Sequence, residues 1–402
     1  MKKGFLQAGH LPTLFASFLY FDLSFMVWVI LGPLAVMIAK DIGLNAAQKG
    51  LMVATPVLAG AFLRIIAGVV AQHIGPKRAG ILAQLVVILS LGAAWSIGLH
   101  SFEQMLLVGV ALGVAGASFA IALPLTSQWY PPQHQGTALG IAGAGNSGTV
   151  LAALFAPGLA ALFDWHNVLG LAALPLVVVF VAFVVLAKDS PARPAKLGAS
   201  AYLKVLAVPE AWILMLFYSV TFGGFVGLAS SLPIYFHDQY GLSPVIAGYV
   251  TAACVFTGSM LRPIGGAIAD RIGGLKTLSG VFLVAFVALM SVAAGLPTMA
   301  FALAAFVIAM GSLGMGNGAV FQLVPQRFGK EVAIMTGLVG MTGGVGGFYL
   351  ASSLGFSKYL TGSYAAGLSI FASLALLALV SVLLLLRKEQ AWTTAAAATA
   401  AE

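Results

Sequence analysis

GAFLRIIAGVVAQHIGPKR (Gly60–Arg78) and GSMLRPIGGAIADRIGGLK (Gly258–Lys276) are two copies of one pattern. At a constant offset of 198 residues, Gly60 meets Gly258, Arg64 meets Arg262, Gly68 meets Gly266, and Ile74-Gly75 meets Ile272-Gly273. A second, weaker pair is TALGIAGAGNSG (Thr137–Gly148) and IMTGLVGMTGGVGG (Ile334–Gly347), both studded with glycine. Matching segments in the same order imply two like halves, and each half carries one arginine inside an apolar stretch.

The rest of the chain says what those stretches are. Its 402 residues are 61% hydrophobic and only 7% charged, against about 25% charged in soluble domains, and the mean hydropathy is +1.04. Apolar runs near 20 residues recur throughout, each long enough to cross a bilayer as a helix. Breaks at polar, Gly/Pro and charged clusters place spans at 12–39, 46–71, 79–99, 104–127, 136–163, 167–187, 210–236, 245–268, 277–295, 299–323, 333–358 and 363–386. The expected fold is an all-α polytopic membrane protein with 12 transmembrane helices in two parallel six-helix repeats. Residues 1–187 form the first six-helix bundle, 188–209 a basic Pro/Ala-rich linker, 210–388 the second bundle, and 389–402 a low-complexity, disordered tail. The N-terminal apolar stretch is longer than a signal-peptide core and reads as a retained span. One cysteine, Cys254, excludes an intrachain disulfide.

The net charge of +8 is a topology signal rather than a nucleic-acid footprint. Twelve spans put both termini on one side, where fourteen of the nineteen Lys and Arg fall, against three on the other. The positive-inside rule makes the termini cytoplasmic. The remaining two, Arg64 and Arg262, lie inside spans.

Of eleven acids only Asp22 sits well inside a span, and all six histidines lie near span ends. A charge at the bilayer centre costs at least about 2.5–3.5 kcal/mol on insertion scales. Snorkelling arginines, or an Asp22–Arg64 pair, are the structural explanations. The repeat favours another: pseudo-symmetry aims both guanidiniums at one central cavity, where an anion relieves their repulsion and fills their planar forks. Two arginines less one carboxylate leave about +1, suited to a small monovalent oxyanion.

GIAGAGNSG (Gly140–Gly148) puts many glycines in a membrane helix. Gly136, Gly140, Ala144 and Gly148 make a small-xxx-small packing stripe. Gly143 and Gly145 bare further faces, and Asn146 offers an amide donor and a carbonyl acceptor. Gly340, Gly343 and Gly344 stud the later copy.

Two parallel halves with a midplane site match the design of the major facilitator superfamily. Gly266, Asp270, Arg271, Gly273 and Lys276 fit its cytoplasmic loop motif, although Gln72 and His73 replace the Asp-Arg in the first copy. Gly140–Gly148 and GLVGMTGGVGGF (Gly337–Phe348) resemble the two signatures of the nitrate/nitrite porter family within that superfamily, over nearly the whole chain. The resemblance implies a transporter of nitrate and nitrite. It assigns Arg64 and Arg262 to clamping the anion and Asn146 to the signature asparagine. In YSVTFGGF it gives Tyr218 a hydrogen bond to the anion and Phe222 a stacking role, with Phe119 and Phe321 as sandwiching aromatics. Phe321 does not align with Phe119 across the repeat, and Pro263 stands where Ile65 follows Arg64. The short chain and FLYFDLSFMVW around Asp22 resemble the compact branch associated with nitrate/proton symport.

Import against an inside-negative potential needs a driving ion, and Asp22 is the candidate proton carrier. The expected partners are nitrate, nitrite, protons and the lipid bilayer, with no nucleic acid and no cofactor, in a monomer of a bacterial inner membrane. Alternatives are nitrate/nitrite antiport, export of an organic anion, or a nitrate sensor that moves nothing. No span carries a metal cluster or an activated nucleophile with a base in reach, so an enzyme is not expected.

Overall fold

The computed structural model describes residues 5–191, 198–328 and 331–388. Among the described residues, twelve helices are long and apolar enough to cross a bilayer, and are numbered here as spans 1 to 12. Spans 1 to 6 are Leu11–Ile42, Ala46–Ile74, Pro76–Ile97, Phe102–Ser127, Thr137–Phe163 and Trp165–Leu186. Spans 7 to 12 are Pro209–Tyr240, Pro244–Ile272, Gly274–Ala293, Met299–Arg327, Ile334–Thr361 and Ala365–Arg387. The middle of the 188–209 linker and the whole 389–402 tail lie outside the described residues; the described part of the linker contains a short helix, Ala199–Leu206.

Several helices outlast their apolar windows. Span 8 runs on to Ile272 and span 10 to Arg327, because polar end residues still close i→i−4 hydrogen bonds after the hydrophobic run stops. The tight links from span 2 to 3 and from span 8 to 9 turn on Gly75 (φ 93, ψ 146) and Gly273 (φ 94, ψ 142). This left-handed geometry suits glycine, and the two glycines are mates in the repeat.

Packing repeats as well. Span 2 packs on 4 as 8 packs on 10, span 3 on 6 as 9 on 12, and span 1 on 5 as 7 on 11. The halves meet through two equivalent seams, span 2 against 11 and span 8 against 5, with the latter part of span 1 against span 7. Spans 1, 4 and 5 are not continuous α-helices. Span 1 breaks at Val29–Ile30, three residues before Pro33, whose missing N–H leaves the Val29 carbonyl to Gly32 (2.9 Å). Span 4 breaks at Ala117–Ser118, and span 5 passes through one 3-10 turn, Ala144–Ser147.

An even number of spans leaves the described chain's ends and the linker on one face, with Lys49 on the other. On the Lys49 face the halves are shut. Lys49 pairs with Asp238 at 2.8 Å between spans 2 and 7, and the Tyr364 hydroxyl donates to the same carboxylate oxygen at 2.8 Å. Bare glycines bring backbones together: beside this pair a methyl on Gly50 would lie 2.7 Å from Gly355 Cα, and about two turns deeper one on Gly32 would lie 2.6 Å from the Ser230 carbonyl. Toward the linker face, Gly140 and Gly337 have nothing within 4 Å of a Cβ position. The halves therefore splay in that direction.

The Lys49–Asp238 pair is partly buried, so losing it removes more than a surface pair's fraction of a kcal/mol. Lys49→Ala is expected to raise the thiol-labelling rate of a cysteine placed at Ser230 about fivefold or more, the equivalent of about 1 kcal/mol. An unchanged rate would mean that the backbone contacts alone hold this face shut.

Candidate functional site

Arg64 reaches inward from span 2 and is only 2% exposed. Its Nε donates to the Gly116 carbonyl at 3.0 Å and its Nη1 to the Gly340 carbonyl at 2.5 Å, while Nη2 is buried without a partner. The first bond accounts for the break in span 4. Ala120 N–H bonds Ala117 rather than Gly116, so the carbonyl the helix gives up is taken by the guanidinium. The second bond crosses from one half to the other. Aromatic faces complete the cage, with the guanidinium carbon 5.1 Å from the Trp28 ring, 5.6 Å from Phe119 and 5.0 Å from Phe222.

Arg262 enters from span 8 at the matching depth. It is less buried than Arg64, its Nη1 is enclosed without a partner, and its guanidinium carbon lies 5.9 Å from the Phe321 ring. Tyr218 stands between the two arginines, within Coulombic reach of both. The Tyr218 ring stacks on Phe222 (5.1 Å, 3°) and meets Phe321 edge-on at 5.0 Å, and Phe321 reaches Phe119 at 5.8 Å. The six residues Arg64, Arg262, Tyr218, Phe119, Phe222 and Phe321 thus form one contiguous cluster with three spans from the second half and two from the first. Pro263 does not interrupt span 8, which is helical from Pro244 to Ile272.

Asn146 occupies the 3-10 turn of span 5, which packs against spans 1 and 8. It is fully buried, and neither its Nδ2 nor its Oδ1 has a partner. Next to it, Ser147 donates to Asp22 Oδ1 at 2.7 Å. Asp22 is 6% exposed and forms no ion pair with Arg64; its partners are this turn of span 5. The sequence places Asp22 and Asn146 in separate spans, and the fold joins them through one residue.

The glycines divide by use. Gly145 lies against Phe21 (2.6 Å from a Cβ position) and Gly148 against the Asp22 backbone. Gly343 lies on the rings of Tyr218 (2.6 Å) and Phe222 (2.9 Å), and Gly344 on Ala61 of span 2 (2.6 Å). Gly340 contributes its carbonyl to Arg64, and a Cβ there would have ordinary room, 3.7 Å from Phe119. Gly140 differs from the packing expectation, with nothing within 4 Å because the halves have parted there, and Gly143 likewise faces open space. Gly143 is nonetheless buried, so open volume lies one turn from Asn146.

Sequence reading missed Trp28. Its indole N–H donates to the Pro56 carbonyl at 2.7 Å, and its ring fills the bay left by Gly60 and Gly116. The signal was available as two glycines on adjoining spans, but it does not say which residue of span 1 fills them.

Residues 15–351 match the family model described as Major Facilitator Superfamily. The chain is 33% identical, over 88% of its own length and 91% of the relative's, to the "Probable nitrate/nitrite transporter NarK2" of Mycobacterium tuberculosis. It is 33% identical to the "Nitrite extrusion protein" of Bacillus subtilis, over 90% of each. It is 31% identical to the "Probable nitrate/nitrite antiporter NarK1" of Thermus thermophilus, over 89% of this chain and 87% of that one. In fold it resembles the crystal structure of a bacterial homologue of the human lysosomal transporter Spinster, with TM-score 0.66 at 19% identity over 97% of both chains. The chain is a multi-pass membrane transporter, not an enzyme, and belongs to the major facilitator superfamily, in the nitrate/nitrite porter family.

Proposed function

We propose that the protein carries nitrate, and nitrite with it, across a bacterial inner membrane by alternating access, as a nitrate/proton symporter for uptake. One observation carries this reading. Two arginines, one from each half, converge on Tyr218, and each keeps a buried guanidinium nitrogen without a partner. Buried donors left unmade cost about 1–3 kcal/mol each, more when charged, so the cluster is completed by an acceptor from outside the chain. A planar oxyanion fits the forks of both arginines and the aromatic faces beside them. The names of the relatives at 31–33% identity support nitrate or nitrite as that anion.

In this reading the linker face is cytoplasmic, both termini are cytoplasmic, and the shut Lys49 face is the outer one. The protein works as a monomer, since both arginines come from one chain. Nitrate cancels one positive charge of the pair and draws the halves together around it. A proton on Asp22 would offset the charge of the entering anion, removing an electrical opposition of about 2.3 kcal/mol per 100 mV. The bond through Ser147 gives that proton a route of influence on Asn146.

The test is labelled-nitrate uptake into proteoliposomes. An inward proton gradient is expected to drive accumulation about tenfold or more above the gradient-free level. Nitrite-loaded vesicles that exchange equally fast without a gradient would favour antiport instead. Absence of both accumulation and counterflow would overturn the transport reading.

A further inference from the structure

One turn from the arginine cluster toward the Lys49 face, the second half holds a polar group that the cluster does not use. Asn317 in span 10 is fully buried, and both its Nδ2 and Oδ1 lack partners. Thr221 Oγ1 in span 7 and Ser259 Oγ in span 8 are buried without partners too. Thr221 is three residues beyond Tyr218, Ser259 three before Arg262, and Asn317 four before Phe321. Each therefore shares a helix face with a cluster residue, one turn further on. Packing brings the three spans to one place. A methyl on Gly316 would abut Thr221, and one on Gly318 would abut the Arg262 backbone carbonyl. Asn317, between these glycines, faces the gap between spans 7 and 8.

The repeat sharpens the placement. GVAGASF (Gly113–Phe119) and GSLGMGN (Gly311–Asn317) stand 198 residues apart, the offset of the arginines. The packing keeps that register: Gly113 meets Ala59, and Gly311 meets Thr257. Asn317 is thus the mate of Phe119, whose ring lies beside the Arg64 guanidinium at 5.6 Å. The corresponding place in the second half is beside Arg262, whose Nη1 is unpartnered. Where the first half presents a ring to its arginine, the second presents an amide.

We propose that Asn317, with Thr221 and Ser259, forms a second binding position for the small oxyanion, next to Arg262 and on the path between the arginine pair and the Lys49 face. The proposal rests on the anion-transport reading above. The amide N–H groups and two hydroxyls are donors an oxyanion accepts from, and their burial without partners is relieved when one arrives. Neutral donors hold an anion less firmly than guanidinium, which suits a place of passage.

The experiment uses the full chain in proteoliposomes, with equilibrium nitrate binding and nitrate counterflow measured on the same preparations. Asn317→Leu removes the amide at similar volume, Thr221→Val removes only the hydroxyl, and Thr221→Ser restores it. Counterflow is expected to fall about tenfold or more in Asn317→Leu and several-fold in Thr221→Val, and to recover in Thr221→Ser. Affinity at the arginine pair should stay within about threefold. Wild-type counterflow in both Asn317→Leu and Thr221→Val overturns the proposal and leaves the transport reading standing. If Asn317→Leu fails to insert, equal rates in Thr221→Val and Thr221→Ser overturn it alone. Wild-type protein that neither binds nor exchanges nitrate sinks the parent reading, and this proposal with it.

Discussion

Replacing Arg64 by lysine is expected to reduce nitrate affinity and initial uptake rate by roughly a hundredfold, and Arg262→Lys by less. Both substitutions keep the charge, so the expected loss lies in geometry. Arg64 satisfies two backbone carbonyls on different spans, Gly116 and Gly340, and still keeps Nη2 free. An ammonium is one point of charge on a flexible stem and cannot hold both carbonyls while presenting a third donor elsewhere. It would also lose the flat contact with Trp28, Phe119 and Phe222. Breaking a buried, hydrogen-bonded charged contact costs about 2–5 kcal/mol, and about 2.7 kcal/mol corresponds to a hundredfold change. Arg262 is less buried and makes fewer contacts, so water relieves part of its loss. Equilibrium binding and tracer uptake on matched preparations check both the size and the order. Normal affinity in both variants would remove the arginines from the binding site.

The second large effect concerns driving force rather than affinity. Asp22→Asn is expected to abolish accumulation under an imposed pH gradient, bringing internal nitrate down to the external level, while counterflow persists. Asparagine has nearly the size of aspartate, and its carbonyl can still accept from the Ser147 hydroxyl, now at 2.7 Å from Asp22 Oδ1. The turn Ala144–Ser147 should therefore stay in place, and only the exchangeable proton is lost. Gradient-driven accumulation that survives intact would place the proton elsewhere. If counterflow is lost as well, Asp22 serves to hold Asn146 rather than to couple ions.

The twelve spans and the repeat were legible because both are written in residue type. Apolar runs report a bilayer, and Arg64 and Arg262 within them are too costly to be incidental. The turn glycines at Gly75 and Gly273 carried the same information and adopt the same φ. Interruptions of the helices were less visible. Pro33 hints at the break in span 1, but the break in span 4 arises because Arg64, 52 residues away in sequence, takes the Gly116 carbonyl. The glycines of span 5 suggested unusual packing without indicating a 3-10 turn or a bond from Ser147 to Asp22. Asn317 carries no charge and sits in a glycine-rich run, so residue type alone does not mark it; only the register of the repeat, which pairs it with Phe119, points to the amide four residues before Phe321.

The bond from Arg64 to the Gly340 carbonyl bears on how such a carrier resets. The guanidinium of one lobe is moored to the main chain of the other. A neutral backbone oxygen thereby holds one of the donors that an anion at the cluster would compete for. An obligate exchanger must be forbidden to travel unladen, whereas a symporter has to make that journey once in every cycle. Under the proposed symport cycle, such a mooring would ease the unladen trip, and an entering anion would have to compete with it.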